Sequence, residues 1–95
     1  MTITMAHQVL VPRDVLFREL DGESVLLSLS QEEYYSLDEV GTRMWQALIA
    51  AGGSLDAARD ALLREYDVEH EVLERDLLRL VSELVERGLL SPRAG

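Results

Sequence analysis

The spacing of apolar residues changes near residue 38, and this change constrains the fold more than any other feature of the sequence. Before it, apolar and polar residues alternate in short runs, which is the period of β-strands. After it, apolar residues recur every three or four positions, which is the period of helices. Strands followed by helices indicate an α+β domain with the helices packed on one face of an antiparallel sheet. The order predicts a winged-helix-like shape in which the strands come first.

The strands are predicted as a meander of two hairpins. Three strands are expected, at Val15–Leu20, Ser24–Leu29 and Glu33–Leu37. Asp21-Gly22 is typical of a two-residue hairpin turn, because both of its central residues need positive φ. The run Val9–Val11 is closed by Pro12 and could form a short edge piece, since proline cannot donate to a ladder. The third strand should lie at the edge of the sheet.

Three helices follow the meander. Asp38 and Ser54 can each cap a helix by accepting a hydrogen bond from backbone N–H groups that the helix leaves free. The helices are expected to end at Gly52-Gly53, at Tyr66-Asp67 and at Gly88, with the third running from about His70 to Arg87. The apolar stripe of the third helix is broader than packing on one side requires. Its extra width suits either a groove for a peptide or packing within the protein or against a second copy.

The length predicts one domain, over residues 9–91, with flexible ends at 1–8 and 92–95. The N-terminal residues lack a basic segment followed by a long apolar stretch, so no signal peptide is expected. No run approaches the roughly 18 apolar residues of a membrane span. Cysteine is absent, which is compatible with the cytoplasm. We expect a cytoplasmic protein that does not contact membranes.

The charge is strongly acidic, with a formal net charge of −9. Binding to a phosphate backbone depends on clustered cations, so this balance disfavours nucleic acid. The third helix, which would enter the major groove in a DNA-binding winged helix, is itself rich in glutamate. The acidity serves solubility, or it steers a basic partner toward the protein.

Groups for catalysis are not brought together by the sequence. With no cysteine, thiolate nucleophiles and Cys-based zinc sites are excluded. The two histidines, His7 and His70, are far apart and neither belongs to a metal-spaced cluster. Gly52-Gly53 lacks the lysine and the spacing of a phosphate-binding loop. We expect no enzyme activity, no metal and no cofactor.

An edge strand can instead accept a foreign extended chain, which extends the sheet by backbone hydrogen bonds. Tyr34 and Tyr35 alternate, so one ring points into the core and the other outward, either as ordinary surface or as a peptide contact. Tyr35→Pro would remove a hydrogen-bond donor from the edge if that N–H faces it. Two alternatives stay open: a module that only dimerises through the third helix, and a DNA-binding repressor.

Several segments resemble the PqqD-like family. They are residues 24–29 (SVLLSL), 33–45 (EYYSLDEVGTRMW), 66–68 (YDV) and 84–90 (LVERGLL), within a resemblance that covers about 15–90. Gly41 and Trp45 match the family pattern, and Asp38 replaces the commoner Asn while keeping the capping role. A free-standing chain of this kind is most similar to the discrete recognition protein of lasso-peptide gene clusters.

The resemblance implies a function and a site. Such proteins bind the leader segment of a ribosomally made precursor peptide, which adds to the third strand and lies against the third helix. They deliver it to a leader peptidase and then a macrocycle-forming enzyme; in quinone-cofactor clusters the related protein serves a radical-SAM enzyme. The lasso type accepts a leader with a Tyr and a Pro a few residues apart. The implied contacts are Glu33, Tyr34, Tyr35, Ser36 and Leu37 on the strand, and Asp76, Leu77, Leu80 and Val81 on the helix.

Overall fold

A computed structural model describes residues 2–93 and shows a three-stranded antiparallel sheet followed by three helices. The elements are β1 (Val9–Leu10), β2 (Val15–Leu20), β3 (Glu23–Ser28), β4 (Glu33–Leu37), α1 (Glu39–Ala50), α2 (Leu55–Glu65), α3 (His70–Glu86) and β5 (Ser91–Pro92). The sheet has the order β2-β3-β4, and β1 pairs separately with β5. The predicted α+β class and the winged-helix-like order with strands first are confirmed.

The turn between β2 and β3 determines where β3 begins. Asp21 and Gly22 have φ values of 56° and 85°, the conformation that a two-residue hairpin turn requires. Leu20 therefore pairs directly with Glu23, and β3 starts at Glu23. The prediction of Ser24–Leu29 was wrong by one residue at each end, because Glu23 pairs with Leu20 and the strand ends at Ser28.

The helix caps predicted from the sequence are confirmed. The Asp38 carboxylate accepts a hydrogen bond from the Gly41 N–H at 2.8 Å, and α1 begins one residue after Asp38. The Ser54 hydroxyl accepts from the Ala57 N–H at 3.2 Å and caps α2. These two caps fix the points at which the chain leaves β4 for α1 and leaves α1 for α2.

The core lies between the helices and one face of the sheet. Leu26, at the centre of β3, is fully buried, and the Phe17 ring of β2 stacks on Trp45 of α1 with centroids 5.9 Å apart. From the helices, the fully buried side chains include Leu48 of α1, Leu62 of α2 and Leu77 of α3. The helices thus cover one face of the sheet and leave the other face uncovered.

The two ends of the chain are joined through β1 and β5. Val9 pairs with Pro92, and the Val9 N–H donates to the Gly53 carbonyl at 2.9 Å. Ile3 is buried against the core, and the Leu55 N–H donates to the His7 carbonyl at 3.4 Å. The expected flexibility of residues 1–8 and 92–95 remains a prediction, although these contacts hold part of both segments. Met1, Ala94 and Gly95 lie outside the described residues.

Candidate functional site

The outer side of β4 is the open edge of the sheet. β4 pairs with β3 on one side, and within residues 2–93 no strand pairs with its other side. The edge is five residues long, Glu33–Leu37, which is enough for a short segment of extended chain. The predicted edge position of the third strand is confirmed.

The turn geometry determines which backbone groups of β4 are free. The pair that closes a two-residue hairpin is hydrogen-bonded, and hydrogen-bonded and non-hydrogen-bonded pairs then alternate along an antiparallel ladder. Counting from Leu20 and Glu23, the pair Asp14 and Leu29 should be hydrogen-bonded, and the Leu29 N–H does donate to the Asp14 carbonyl at 3.0 Å. Residues 23, 25 and 27 therefore bond to β2, and residues 24, 26 and 28 bond to β4.

It follows that residues 33, 35 and 37 of β4 turn their backbone groups inward, toward β3. Tyr34 and Ser36 turn their N–H and C=O groups outward, to the free edge. The edge thus offers two donors and two acceptors to an incoming chain. The Tyr35→Pro substitution suggested by the sequence would break an internal hydrogen bond, so Ser36 is the position that tests the edge.

A face of α3 runs beside this edge in the opposite direction to β4. The Arg87 guanidinium lies 5.3 Å from the centre of the Tyr35 ring, and it also reaches Glu33 at 4.0 Å. Glu83 approaches the same ring, and one and two turns earlier Leu80 and Asp76 face the far end of β4. Only Leu80 among these four helix residues is apolar. The wall opposite β4 is therefore mixed, whereas the sequence predicted a broad apolar stripe.

Between β4, α1 and α3 lies an open cleft of about 480 Å³. Its apolar lining comes from Leu37, Val40, Met44 and Leu80, together with the ring of Tyr35. Gly41 allows α1 to start close to β4, because a Cβ at this position would lie 3.2 Å from the Leu37 side chain. The cleft is thus shaped by the tight passage from β4 into α1.

Three carboxylates surround the cleft, those of Glu23, Asp38 and Asp76. The Asp38 carboxylate already accepts the capping bond from Gly41, and Asp76 lies 3.4 Å from the Arg75 Nε. No cationic side chain of the described residues lines the cleft. Its field is therefore negative, which favours a chain that carries positive charge.

Near the start of β4, beyond the cleft, the negative charge is partly neutralised. Burial raises the pKa of the Tyr35 phenol above its ordinary value, and the neighbouring Glu83 carboxylate raises it further. Tyr35 therefore stays protonated and neutral over the physiological range. Arg87, which is about half exposed, lies between Glu83 and Glu33 and neutralises part of their charge.

The structure brings most of the predicted site residues together. Five of them lie along the edge or the cleft in direct reach of an added strand: Tyr34, Tyr35, Ser36, Asp76 and Leu80. Glu33 lies at the start of β4 beside Arg87, and Leu37 is buried at the base of the cleft. Leu77 and Val81 are fully buried in the core and offer no surface to a peptide in this structure. Both side chains pack in the core and do not line the cleft.

The sequence did not assign Val40 and Met44 to the site. Both line the cleft, and Val40 is 48% exposed there. Their spacing of four residues, directly after the β4–α1 turn, is the signal that places them on one side of the helix beside the edge. Glu83 and Arg87 were also missed, and they continue the spacing of Asp76 and Leu80 along α3.

Residues 2–93 contain neither a cluster of metal ligands nor a membrane-spanning helix. In the part of the chain from Thr2 to Arg93, no three His, Asp or Glu side chains are grouped so that they could hold a metal ion. None of the helices described there is long and apolar enough to cross a membrane.

These features define a small winged-helix-like protein. Its sheet precedes the helices in the chain and has an open edge beside α3. The family model for PqqD, coenzyme PQQ synthesis protein D, matches residues 23–90. The chain therefore belongs to the PqqD family.

Two solved structures share the fold over nearly their whole length. One is TbiB1 in complex with the TbiA(beta) leader peptide, with 34% identity, a TM-score of 0.79, and coverage of 90% of this chain and 98% of that one. The other is a lasso peptide synthetase B1 complexed with the leader peptide, with 29% identity, a TM-score of 0.77, and coverage of 90% and 99%. No match was found among curated proteins.

Proposed function

We propose that this protein binds the leader segment of a ribosomally synthesised precursor peptide, which adds as a fourth strand to β4. The observation that carries the proposal is the free edge of β4, where the backbone groups of Tyr34 and Ser36 have no partner in residues 2–93. Strand addition needs this arrangement, because the backbone bonds supply affinity that does not depend on sequence. Both similar structures are complexes with a leader peptide, which supports the same ligand class.

Selectivity would come from side chains that the added strand places into the cleft. Alternate residues of a strand point to the same face, so every second residue of the leader would face α3. The apolar lining of Leu37, Met44 and Leu80 suits a bulky apolar or aromatic residue such as the Tyr that the family resemblance implies. The surrounding carboxylates favour a leader with basic residues near that position.

The protein acts in this proposal as a non-catalytic carrier. It would deliver the bound precursor to a leader peptidase and then to the macrocyclase of the same gene cluster, in the cytoplasm. The similarity to a lasso peptide synthetase B1 favours lasso peptide biosynthesis over service to a radical-SAM enzyme. The carboxylates of Asp76 and Glu83 on the mixed wall of α3 argue against the DNA-binding alternative.

The experiment is a calorimetric titration with a synthetic leader of the precursor peptide that is encoded next to the gene for this chain. Saturable binding at micromolar or better affinity is expected, with amide shifts concentrated in residues 33–37. Ser36→Pro should weaken binding at least about tenfold, because it removes an outward-facing donor and not one used by β3. Ser36→Ala, which keeps the backbone N–H, is the matched control and should bind like the wild type.

Absence of heat and of amide shifts with the wild-type protein would reject the proposal. Sedimentation distinguishes the dimerising alternative, since a dimer that takes up no peptide would favour it. Equal affinities for Ser36→Pro and wild type would show that the leader binds elsewhere, provided that circular dichroism reports the same fold for both.

A further inference from the structure

The face of the sheet that points away from the helices carries a row of apolar side chains leading to the open edge. Leu16 of β2 pairs with Leu27 of β3, and Leu27 pairs with Tyr34 of β4, so these three side chains lie side by side across the sheet. Leu16 is 47% exposed and the Tyr34 ring 70% exposed. Leu27, in the middle of the row, is half-buried, and the row ends at the exposed Tyr34 ring on the open edge.

The neighbouring rows on this face differ in character. Arg18, Val25 and Ser36 form the next row, and Leu20 and Glu23 form the one beyond it. Each of those rows contains a charged side chain, whereas the Leu16–Leu27–Tyr34 row contains none. A strand added beside β4 would therefore meet an uncharged, apolar surface only at the position that pairs with Tyr34.

The free backbone groups of β4 determine the register in which an added strand pairs with it. When the added strand runs antiparallel to β4, Tyr34 and Ser36 form hydrogen-bonded pairs with it, and the residue opposite Tyr35 lies between those two pairs. Side chains opposite Tyr34 and Ser36 would project onto the outer face, and side chains opposite Tyr35 and Leu37 would project toward α3. Directly opposed side chains have Cβ atoms about 4.5–5.5 Å apart, which is within contact distance of the Tyr34 ring.

We infer that the leader peptide is recognised on both faces of the sheet, and that Tyr34 is a specificity-determining residue that packs on an apolar or aromatic leader residue on the outer face. This inference rests on the proposed function and adds a second contact surface to it. The leader residue in question is the immediate neighbour in sequence of one that faces the cleft. The recognised segment would then have apolar residues at adjacent positions and not only at every second one.

The test uses the full chain and the synthetic leader described above. Tyr34→Ser should weaken binding about three- to fivefold, the upper range for loss of a cross-strand pair. Leu20→Ser is the matched control: it removes a 78% exposed apolar side chain from the same face, but on the strand away from the edge. Its affinity should stay within about 1.5-fold of the wild type.

Isotope-filtered NOE spectra of the complex give an independent readout. The peptide residue that contacts the Tyr34 ring and the residue that contacts Leu80 should be separated by an odd number of positions, because they lie on opposite faces. A change of the Tyr34-contacting residue to serine in the peptide should add nothing to the loss caused by Tyr34→Ser.

The inference fails if Tyr34→Ser binds like the wild type, or if the ring shows no contact with the peptide. In either case, a large loss for Ser36→Pro would leave the proposed strand addition standing. If the wild-type protein does not bind the leader at all, the proposed function itself fails.

Discussion

The hydroxyl groups of Ser24 and Thr42 lie 2.7 Å apart in the interior, where they hydrogen-bond β3 to α1. Both residues are almost fully buried, so the Ser24 hydroxyl left alone would lose its partner without gaining water, whereas the Thr42 hydroxyl also donates to the Leu37 carbonyl at 3.5 Å. We expect Thr42→Val to lower the free energy of unfolding by about 1–3 kcal/mol in urea denaturation. The double variant Ser24→Ala/Thr42→Val should cost clearly less than the sum of the two single changes. Additive losses would show that the two hydroxyls are not coupled.

Alanine substitutions at Gly52 and Gly53 test how β1 packs against the turn after α1. Both have positive φ, so alanine at either position costs about 1–2 kcal/mol. A Cβ at Gly53 would also lie 2.0 Å from the Val9 carbonyl oxygen, whereas a Cβ at Gly52 would have nothing within 4 Å. Gly53→Ala should therefore cost a further 1–3 kcal/mol or so through forced displacement of β1. Equal melting temperatures for the two variants would contradict this packing.

Leu77 and Leu80 separate stability from binding on α3. Leu77→Ala should lower the free energy of unfolding by about 2–5 kcal/mol, because it empties a fully buried position. Leu80→Ala should cost about 1 kcal/mol, since its side chain is already partly in water, but it should weaken leader binding more than Leu77→Ala does. Denaturation and calorimetry on both variants check the two effects. A reversed order of the binding losses would mean that α3 presents a different face to the peptide.

Asp76 tests the electrostatic part of the site. Asp76→Asn should weaken binding of a basic leader about two- to fivefold at low salt, and the affinity of this variant should depend less on salt than that of the wild type. Asp67→Asn makes the same chemical change in the exposed connection between α2 and α3 and should leave both properties unchanged. An unaltered salt dependence in Asp76→Asn would remove this carboxylate from the binding surface.

The ion pair of Arg43 with Glu65, which connects α1 to α2, predicts a pH effect. Hydrogen bonds from the Arg43 guanidinium lower the pKa of the Glu65 carboxyl below its ordinary value. A lowered pKa in the folded state stabilises the protein above the unfolded-state value, about 4.3 for glutamate, and this contribution disappears as the pH falls through the folded value. In Arg43→Gln, an NMR titration should show the Glu65 pKa raised to its ordinary value. Arg64→Gln, a neighbouring loss of the same charge, should leave it lowered.

The elements of this fold were predictable because their signals are local. The change of period near Asp38, the capping side chains of Asp38 and Ser54, and the Asp21-Gly22 turn each act within a few residues. The same turn also determines that Tyr34 and Ser36 face the free edge, so that part of the site could have been predicted by counting hydrogen-bonded pairs from Leu20 and Glu23.

The rotation of α3 about its own axis could not be predicted from local signals in the sequence. Its apolar positions go most of the way around the helix, so the sequence does not show which of them face the core and which face β4. Leu77 and Val81 face the core, whereas Leu80 faces the cleft, because packing against all the other elements decides the rotation. The pairing of β1 with β5 was also missed. Strands of two residues are too short to show an alternating pattern, and these two lie more than 80 positions apart in the sequence.

The antiparallel pairing of Val9 with Pro92 has a consequence for the construction of larger proteins. Paired residues in such a ladder have Cα atoms only about 4.5–5.5 Å apart, and Thr4 and Arg93 line one surface cleft, so the first and last described segments lie on the same side of the domain. A domain with this geometry can be inserted into a surface loop of another protein without spreading the loop apart. It can also be circularly permuted with a short connecting linker, which would place new ends in a loop remote from β4.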